Sequence, residues 1–236
     1  MKQSNWSLFY FFISFLYPQE FLMNIALIGA TGFVGSAILP ELLDRGHQVT
    51  VLARTPSKLA PQSGLRVVAA DVLDTAQVAQ AVAGHDAVIS AYNPGWGEPK
   101  IYELFLQGSQ AIVSGMKQAG VKRLLVVGGA GSLFVAPGLQ LVDTPEFPAQ
   151  YKQGALAARE LLDQLKAETA LDWSFISPPI GLAPGARSGK YRLGTDDLLS
   201  GQGDQPAGIS VPDLAVAIVD EIEQPRHVKR RFTAAN

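Results

Sequence analysis

Apolar residues along this chain gather into short, largely apolar runs separated by polar turns and by longer stretches with helical spacing. The runs are Ile25–Ile28, Val49–Ala53, Leu65–Ala70, Asp86–Ser90, Val121–Val127 and Leu171–Ser177. Runs this short with little polar alternation suit strands buried on both faces, as in a parallel sheet. Between them the spacing changes to three and four. Ile101 to Ala119 is the plainest case, with Ile101, Leu104, Phe105, Ile112, Val113 and Met116 on one stripe and Gly120 closing it. Further helices are predicted from near Phe33, from Asp74 or Thr75 through Val82, and from about Tyr151. The last runs from a Ser210-Val211-Pro212-Asp213 start to about Glu223, where capping Ser, first-turn Pro and Asp are all in place. A final strand is predicted over Lys229–Ala234, and an extended hairpin over Gly185–Gly194. Strands that alternate with helices give an α/β chain with a doubly wound parallel sheet, helices on both faces and a small C-terminal region for substrate. Residues 23–236 read as one such domain, without repeats or low-complexity tracts.

The segment Asn24–Thr55 organises the rest. After the first apolar run come Gly29, Gly32 and Gly35, in a G-x-x-G-x-x-G pattern, then a helix and a second strand. In that context the glycines carry a physical meaning. Gly29 turns the chain off the strand, Gly32 leaves room for a pyrophosphate against the backbone, and Gly35 lets the helix lie close to the strands. The helix start at Phe33 and Val34 directs N–H groups and the positive end of the helix dipole toward that pyrophosphate. Thr31 adds a hydroxyl donor. This is a βαβ dinucleotide-binding unit of the Rossmann type. The second strand ends at Arg54 instead of an acidic residue. A guanidinium there grips a 2′-phosphate, so NADP is expected over NAD.

The stretch GATGFVGSAILPELLDRGHQVTVLART resembles the start of the atypical short-chain dehydrogenase/reductase superfamily. Within it the chain is most similar to the NADH-flavin reductase group, near the NmrA-like and biliverdin/flavin reductase-like proteins. The resemblance runs from Met23 to the C-terminus. It implies that Asp71 and Val72, after the third strand, contact adenine, although Asp71 also suits a turn cap. The fourth strand delivers Ser90 and Ala91 to the cofactor by its position in the sheet, with Tyr92 beside them. Tyr92, Asn93 and Trp96 either line the substrate mouth or form a Pro/Gly turn with an exposed tryptophan. By resemblance, Ser132 occupies the place of a catalytic serine, and Pro178 and Ile180 contact the nicotinamide. The Pro-punctuated stretch 133–150 reads as a loop long enough to act as a lid.

Complete members of that superfamily carry Tyr-x-x-x-Lys at the start of the next helix, the lysine lowering the tyrosine pKa. Here Tyr151 is present, but Ala155 stands in the lysine position, and Lys152 is on a different face. Tyr151 is therefore either an acid without its partner or a packing aromatic. A flavin or quinone accepts hydride on a conjugated ring and takes its proton from solvent, so its reduction does not need the pair. The expected function is NAD(P)H-dependent reduction of such an acceptor. The alternative is a non-catalytic NADP(H) sensor of the NmrA-like type. An epimerase is disfavoured, since those enzymes keep both residues.

Composition narrows the partners. The chain has 236 residues, a formal net charge of −2 and no cysteine. That balance argues against a nucleic-acid surface, and thiolate or disulfide chemistry is excluded. His47, His85 and His227 are scattered and suggest no metal centre; Arg187, Lys190 and Arg192 either meet a ligand phosphate or are solvated. Residues 1–22 are out of character: Leu8–Tyr17 (LFYFFISFLY) is too short to span a membrane, and no good cleavage site follows. The extension reads as dispensable, with Met23 a natural start, or else as a docking segment. A cytoplasmic protein is expected, monomer or homodimer.

Overall fold

Residues 22–201 and 205–236 are described in the structure, a computed structural model; Leu8–Tyr17 lies outside them. In chain order the elements are β1 (Asn24–Ile28), α1 (Gly35–Asp44), β2 (Gln48–Ala53), β3 (Leu65–Ala69), α2 (Thr75–Val82), β4 (Ala87–Ser90), α3 (Ile101–Ala119), β5 (Arg123–Val127), β6 (Phe134–Ala136), β7 (Leu139–Gln140), α4 (Ala149–Lys166), β8 (Asp172–Ile176), β9 (Gly181–Ala183), β10 (Arg192–Gly194), β11 (Gly208–Ser210), α5 (Val211–Glu223) and β12 (Arg230–Ala235). The main sheet has the order β10-β12-β8-β5-β4-β1-β2-β3. All its neighbours pair in parallel except β10, which runs antiparallel to β12 at one edge.

Period-two alternation along the central strands sorts their side chains into two cores. Ala26 and Ile28 of β1, with Leu124 and Val126 of β5, point to one face. There they pack with Val78, Phe105, Met116 and Leu161 from α2, α3 and α4. Ile25, Leu27, Leu125 and Val127 point the other way and meet Ile38 and Leu42 of α1 and Ile218 and Ile222 of α5. A one-residue slip of β1 would exchange the two sets, so the register is firmly specified. This is the doubly wound Rossmann-like arrangement expected from the sequence.

Several boundaries differ from expectation, most by one or two residues. β5 begins at Arg123, and α4 starts at Ala149, two residues before Tyr151. The stretch 133–150 holds the β6–β7 hairpin and one short 3-10 turn, Leu141–Asp143. The expected 185–194 hairpin does not form. Asp213 instead accepts hydrogen bonds from the backbone N–H groups of Ser188 and Gly189, both 2.8 Å, and from the Ser188 hydroxyl, 2.7 Å. Those bonds hold the segment against the start of α5, which leaves β10 to pair with β12 and β9 with β11.

Charge holds the C-terminal half in place. Arg45, after α1, bonds Asp220 (2.7 Å) and Glu223 (2.6 Å) on α5, and Arg187 bonds Glu41 on α1 (2.7 Å). The Arg187 hydrogen bond holds the Glu41 carboxyl below the usual carboxylate range, against the effect of its burial. Glu221 is buried and accepts from Arg123, Ser174 and both the backbone and ring of His227. The other histidines are also engaged locally. His47 Nδ1 accepts from the Met23 N–H, its Nε2 lies 2.9 Å from Glu223, and His85 contacts the Val82 carbonyl. Among the described residues no group of three potential metal ligands gathers, and no helix is long and apolar enough to cross a membrane.

Candidate functional site

The order of strands reverses between β1 and β4, the switch point where open α/β sheets bind ligands beyond the carboxyl ends of their strands. Gly29 leaves β1 there with φ +85°. A Cβ on it would lie 2.3 Å from the Ala91 carbonyl oxygen at the end of β4, so backbone meets backbone across the crevice. A Cβ on Gly35 would lie 2.0 Å from the Gly29 oxygen, which lets α1 begin directly under the turn. The Gly32 N–H closes the turn onto Gly29 O at 2.9 Å, while Thr31, Gly32 and Phe33 face solvent. Among the described residues nothing accepts from the N–H groups of Phe33 and Val34, and α1 has neither a side-chain cap nor an acid in its first turn. Donors, helix dipole and absent side chains combine to fit an anion, and a dinucleotide pyrophosphate suits the cradle.

Flanking this cradle, the Ala91 N–H donates to Ile28 O at 2.9 Å, which ties β4 to β1. Arg54 is exposed at the end of β2, and no hydrogen-bond partner reaches it among the described residues. Across the crevice, α4 lies against the turn after β5. A Cβ on Gly131 would come within 2.8 Å of the Ala155 Cβ. One residue on, Ser132 is 2% exposed. Arg231 of β12 donates to its carbonyl at 2.7 Å and to its hydroxyl at 3.1 Å, while also bonding Asp196 at 2.8 Å. Tyr151 is 40% exposed, and its ring stands edge-on to Trp96, with centroids 5.0 Å apart at 77°.

Residues 29–225, from the first glycine of the cradle onward, match a family of NAD(P)H-binding proteins. The chain belongs to that NAD(P)H-binding family. Solved structures agree on the fold of this NAD(P)H-binding protein and differ in what they are named for. A "putative exported protein" of Burkholderia pseudomallei is 46% identical with a TM-score of 0.82, over 91% of this chain and 100% of its own. A "putative epimerase" of Bacteroides thetaiotaomicron is 45% identical with a TM-score of 0.84, over 91% and 97%. A "putative NADH-flavin reductase" of Streptococcus pneumoniae is 31% identical with a TM-score of 0.77, over 91% and 99%. Three descriptions on one fold leave substrate to be argued from the site.

In the NAD(P)H-binding protein the expected cofactor residues fall into two groups. Gly29 to Gly35 with Ser90, Ala91 and the Tyr92 backbone gather at the switch point. Arg54 and Asp71 flank it, both acting electrostatically on the Tyr92 phenol. Asp71 accepts from the Leu73 N–H at 3.0 Å, so it does cap its turn; Val72 beside it is buried. Pro178 is buried after β8 and Ile180 is exposed. Of the two courses open to it, the Tyr92 side chain takes the one away from the mouth. Its hydroxyl donates to Leu104 O at 3.0 Å, its ring stacks on Phe105, and a Cβ on Gly108 would collide with it at 2.4 Å. Burial pushes the phenol pKa up, with Arg54 pulling the other way. The ring thus packs on α3 instead of lining the mouth. Gly108 inside a long apolar helix was the sequence signal for it. Sequence reasoning missed Arg231 and Asp196, which carry no motif and lie 99 and 64 positions from Ser132.

Neither of two hollows on the surface borders the glycine turn. One of about 510 Å³ lies beside Lys190, Arg192 and Asn236, and one of about 430 Å³ beside the β6–β7 hairpin. Of the expected phosphate-seeking cations, Arg187 is already paired with Glu41, and Arg192 contacts the Ser200 carbonyl.

Proposed function

We propose that this chain is a reductase that passes hydride from NADPH to a flat conjugated acceptor such as a flavin or quinone. The observation that carries the reading is the pairing of a well-formed cradle with a crevice wall that has alanine, not lysine, one turn on from Tyr151. Ala155 packs on Gly131 where a lysine would have to stand. Tyr151 therefore has no cation one turn away to lower its pKa. Ser132 is held by Arg231 and reads as an anchor for β12 more than as an acid. A carbonyl substrate needs a proton delivered to its oxygen as hydride arrives; a conjugated ring delocalises the charge and takes the proton from water. The likeness to the Streptococcus pneumoniae protein, named for NADH-flavin reduction, supports the same class.

When bound, a reduced nicotinamide supplies the hydride, and with one solvent proton the acceptor gains two electrons while the nicotinamide is oxidised. The chain's own groups bind and orient. The N–H groups of Phe33 and Val34 and the Thr31 hydroxyl hold the pyrophosphate. Arg54 holds a 2′-phosphate, which favours NADP over NAD. Asp71 and Val72 border the adenine, Ser90 and Ala91 the ribose, and Pro178 and Ile180 the nicotinamide. On this reading, positioning of the two rings supplies most of the rate. The test is NADPH oxidation with FMN, FAD and menadione. Turnover with any of them is expected. Tight NADPH binding without turnover would remove the reductase reading and favour the sensor, whose partner would then bind differently to NADP⁺ and NADPH forms.

A further inference from the structure

The geometry points to Trp96 as the platform on which the acceptor's flat ring stacks, an assignment that rests on the reductase reading above. Trp96 is 55% exposed, yet three neighbours fix its indole. The ring lies over Gly154 of α4, where a Cβ would come within 2.7 Å of its Cζ3. Ile101, at the start of α3, closes on the same spot, with its Cδ1 3.0 Å from that Cβ position. Tyr151, three residues before Gly154 and so on the same face of α4, meets the indole edge-on. A tryptophan that is merely left over on a loop has no cradle; this one has a glycine cut to its shape and still shows much of its surface to water.

The position is as informative as the exposure. Trp96 rides on the loop whose first residue, Ala91, touches Gly29 at the cofactor turn. The first turns of α4 beneath it rest on Gly131, just past the carboxyl end of β5. The indole therefore stands on the carboxyl side of the sheet, between the β4 loop and the back wall of the crevice. Its electron-rich face suits an electron-poor planar ring in offset stacking, as isoalloxazines and quinones provide, and gives a flexible aliphatic substrate no comparable partner. Stacking of a planar heterocycle on an aromatic side chain is worth enough to change binding about tenfold on its removal.

The experiment follows FMN emission as wild-type protein saturated with NADP⁺ is titrated in, and in parallel the KM and kcat for FMN and menadione. Binding is expected to quench the emission. Trp96→Leu should weaken FMN binding and raise both KM values about tenfold, with kcat changed less than about threefold and NADPH affinity unmoved; Trp96→Phe should recover most of the loss. Gly154→Ala is the second variant. It pushes a methyl group into the indole while alanine raises the helix propensity, so a raised KM there does not come from lost helix propensity in α4. Unchanged quenching and KM values in Trp96→Leu and Gly154→Ala would overturn the assignment. Should wild-type protein oxidise no NADPH with either acceptor, the reductase reading falls, and FMN binding alone decides the platform. Quenching that disappears in Trp96→Leu upholds it, and FMN emission unaffected by wild-type protein overturns it.

Discussion

The two walls of the crevice are built from different materials. The cradle from Gly29 to Gly35 is backbone: its shape comes from side chains that are missing, and its donors are main-chain N–H groups. The opposite wall is side chain. Trp96 seats on Gly154, Ala155 on Gly131, and Arg231 reaches from β12 to hold Ser132. A backbone cradle tolerates almost any sequence around it and almost no added atom within it. A side-chain wall can be rebuilt residue by residue, which is how one fold can serve different acceptors.

The largest predicted effect tests the first half of that contrast. Gly35→Ala places a Cβ 2.0 Å from the Gly29 oxygen, a contact only backbone movement can relieve. NADPH affinity should fall by roughly a hundredfold or more, equivalent to about 2.7 kcal/mol, measured by titration on protein whose folding is checked by circular dichroism. Gly129→Ala is the control. A Cβ there meets nothing within 4 Å, and affinity should stay within about twofold, a change of about 0.4 kcal/mol. Equal losses in both would show that the cradle's sterics are not what matters.

Comparable in size, and read in stability instead of affinity, is the side-chain scaffold behind the other wall. Glu221 joins Arg123 of β5, Ser174 of β8 and His227 before β12. Glu221→Gln leaves buried donors poorly matched and should cost about 3 kcal/mol in urea unfolding. Its acid response should change as well. Burial pushes the Glu221 carboxyl up, but bonds from His227, Ser174 and Arg226 outweigh it and hold the group below its ordinary value. Stability from such a group is complete above the unfolded pKa of about 4.3 and is lost as pH falls through the lower folded value. Wild-type stability should therefore drop below that pH more steeply than that of Glu221→Gln; parallel acid curves would rule this origin out.

Two smaller effects sharpen the division of labour. Arg54→Ala should weaken NADPH about tenfold, or about 1.4 kcal/mol, and leave NADH nearly unchanged, because only the 2′-phosphate loses its partner. Equal losses for both cofactors would make Arg54 an ordinary surface charge. Ser132→Ala removes a hydroxyl that accepts from Arg231 and should cost about 1 kcal/mol of stability. On the anchor reading kcat falls less than about threefold, whereas a loss of about a hundredfold or more would return Ser132 to acid chemistry.

The same contrast explains what could be read from the sequence. Strand runs, the three-glycine turn, the Asp74 cap of α2 and the Ser210 cap of α5 are local, because each rests on residues within a few positions of one another. They were legible for that reason. The hairpin expected over 185–194 failed because Asp213, some 25 positions away, captures Ser188 and Gly189. The place of the Tyr92 ring stayed open in the sequence because it depends on Gly108, 16 positions on, which makes room for it against α3. Such pairings follow from which helix packs where, and no spacing rule announces them. Ala155 lies between the two cases: the missing lysine is visible in sequence, while its reason, contact with Gly131, is visible only in the fold.

Calorimetric titration of NADPH and NADH into the folded wild-type chain tests the central claim most directly. The account predicts saturable binding of both, with NADPH the tighter. Correctly folded protein that binds neither would contradict it, and with it the use of residues 29–35 as a seat for a dinucleotide pyrophosphate.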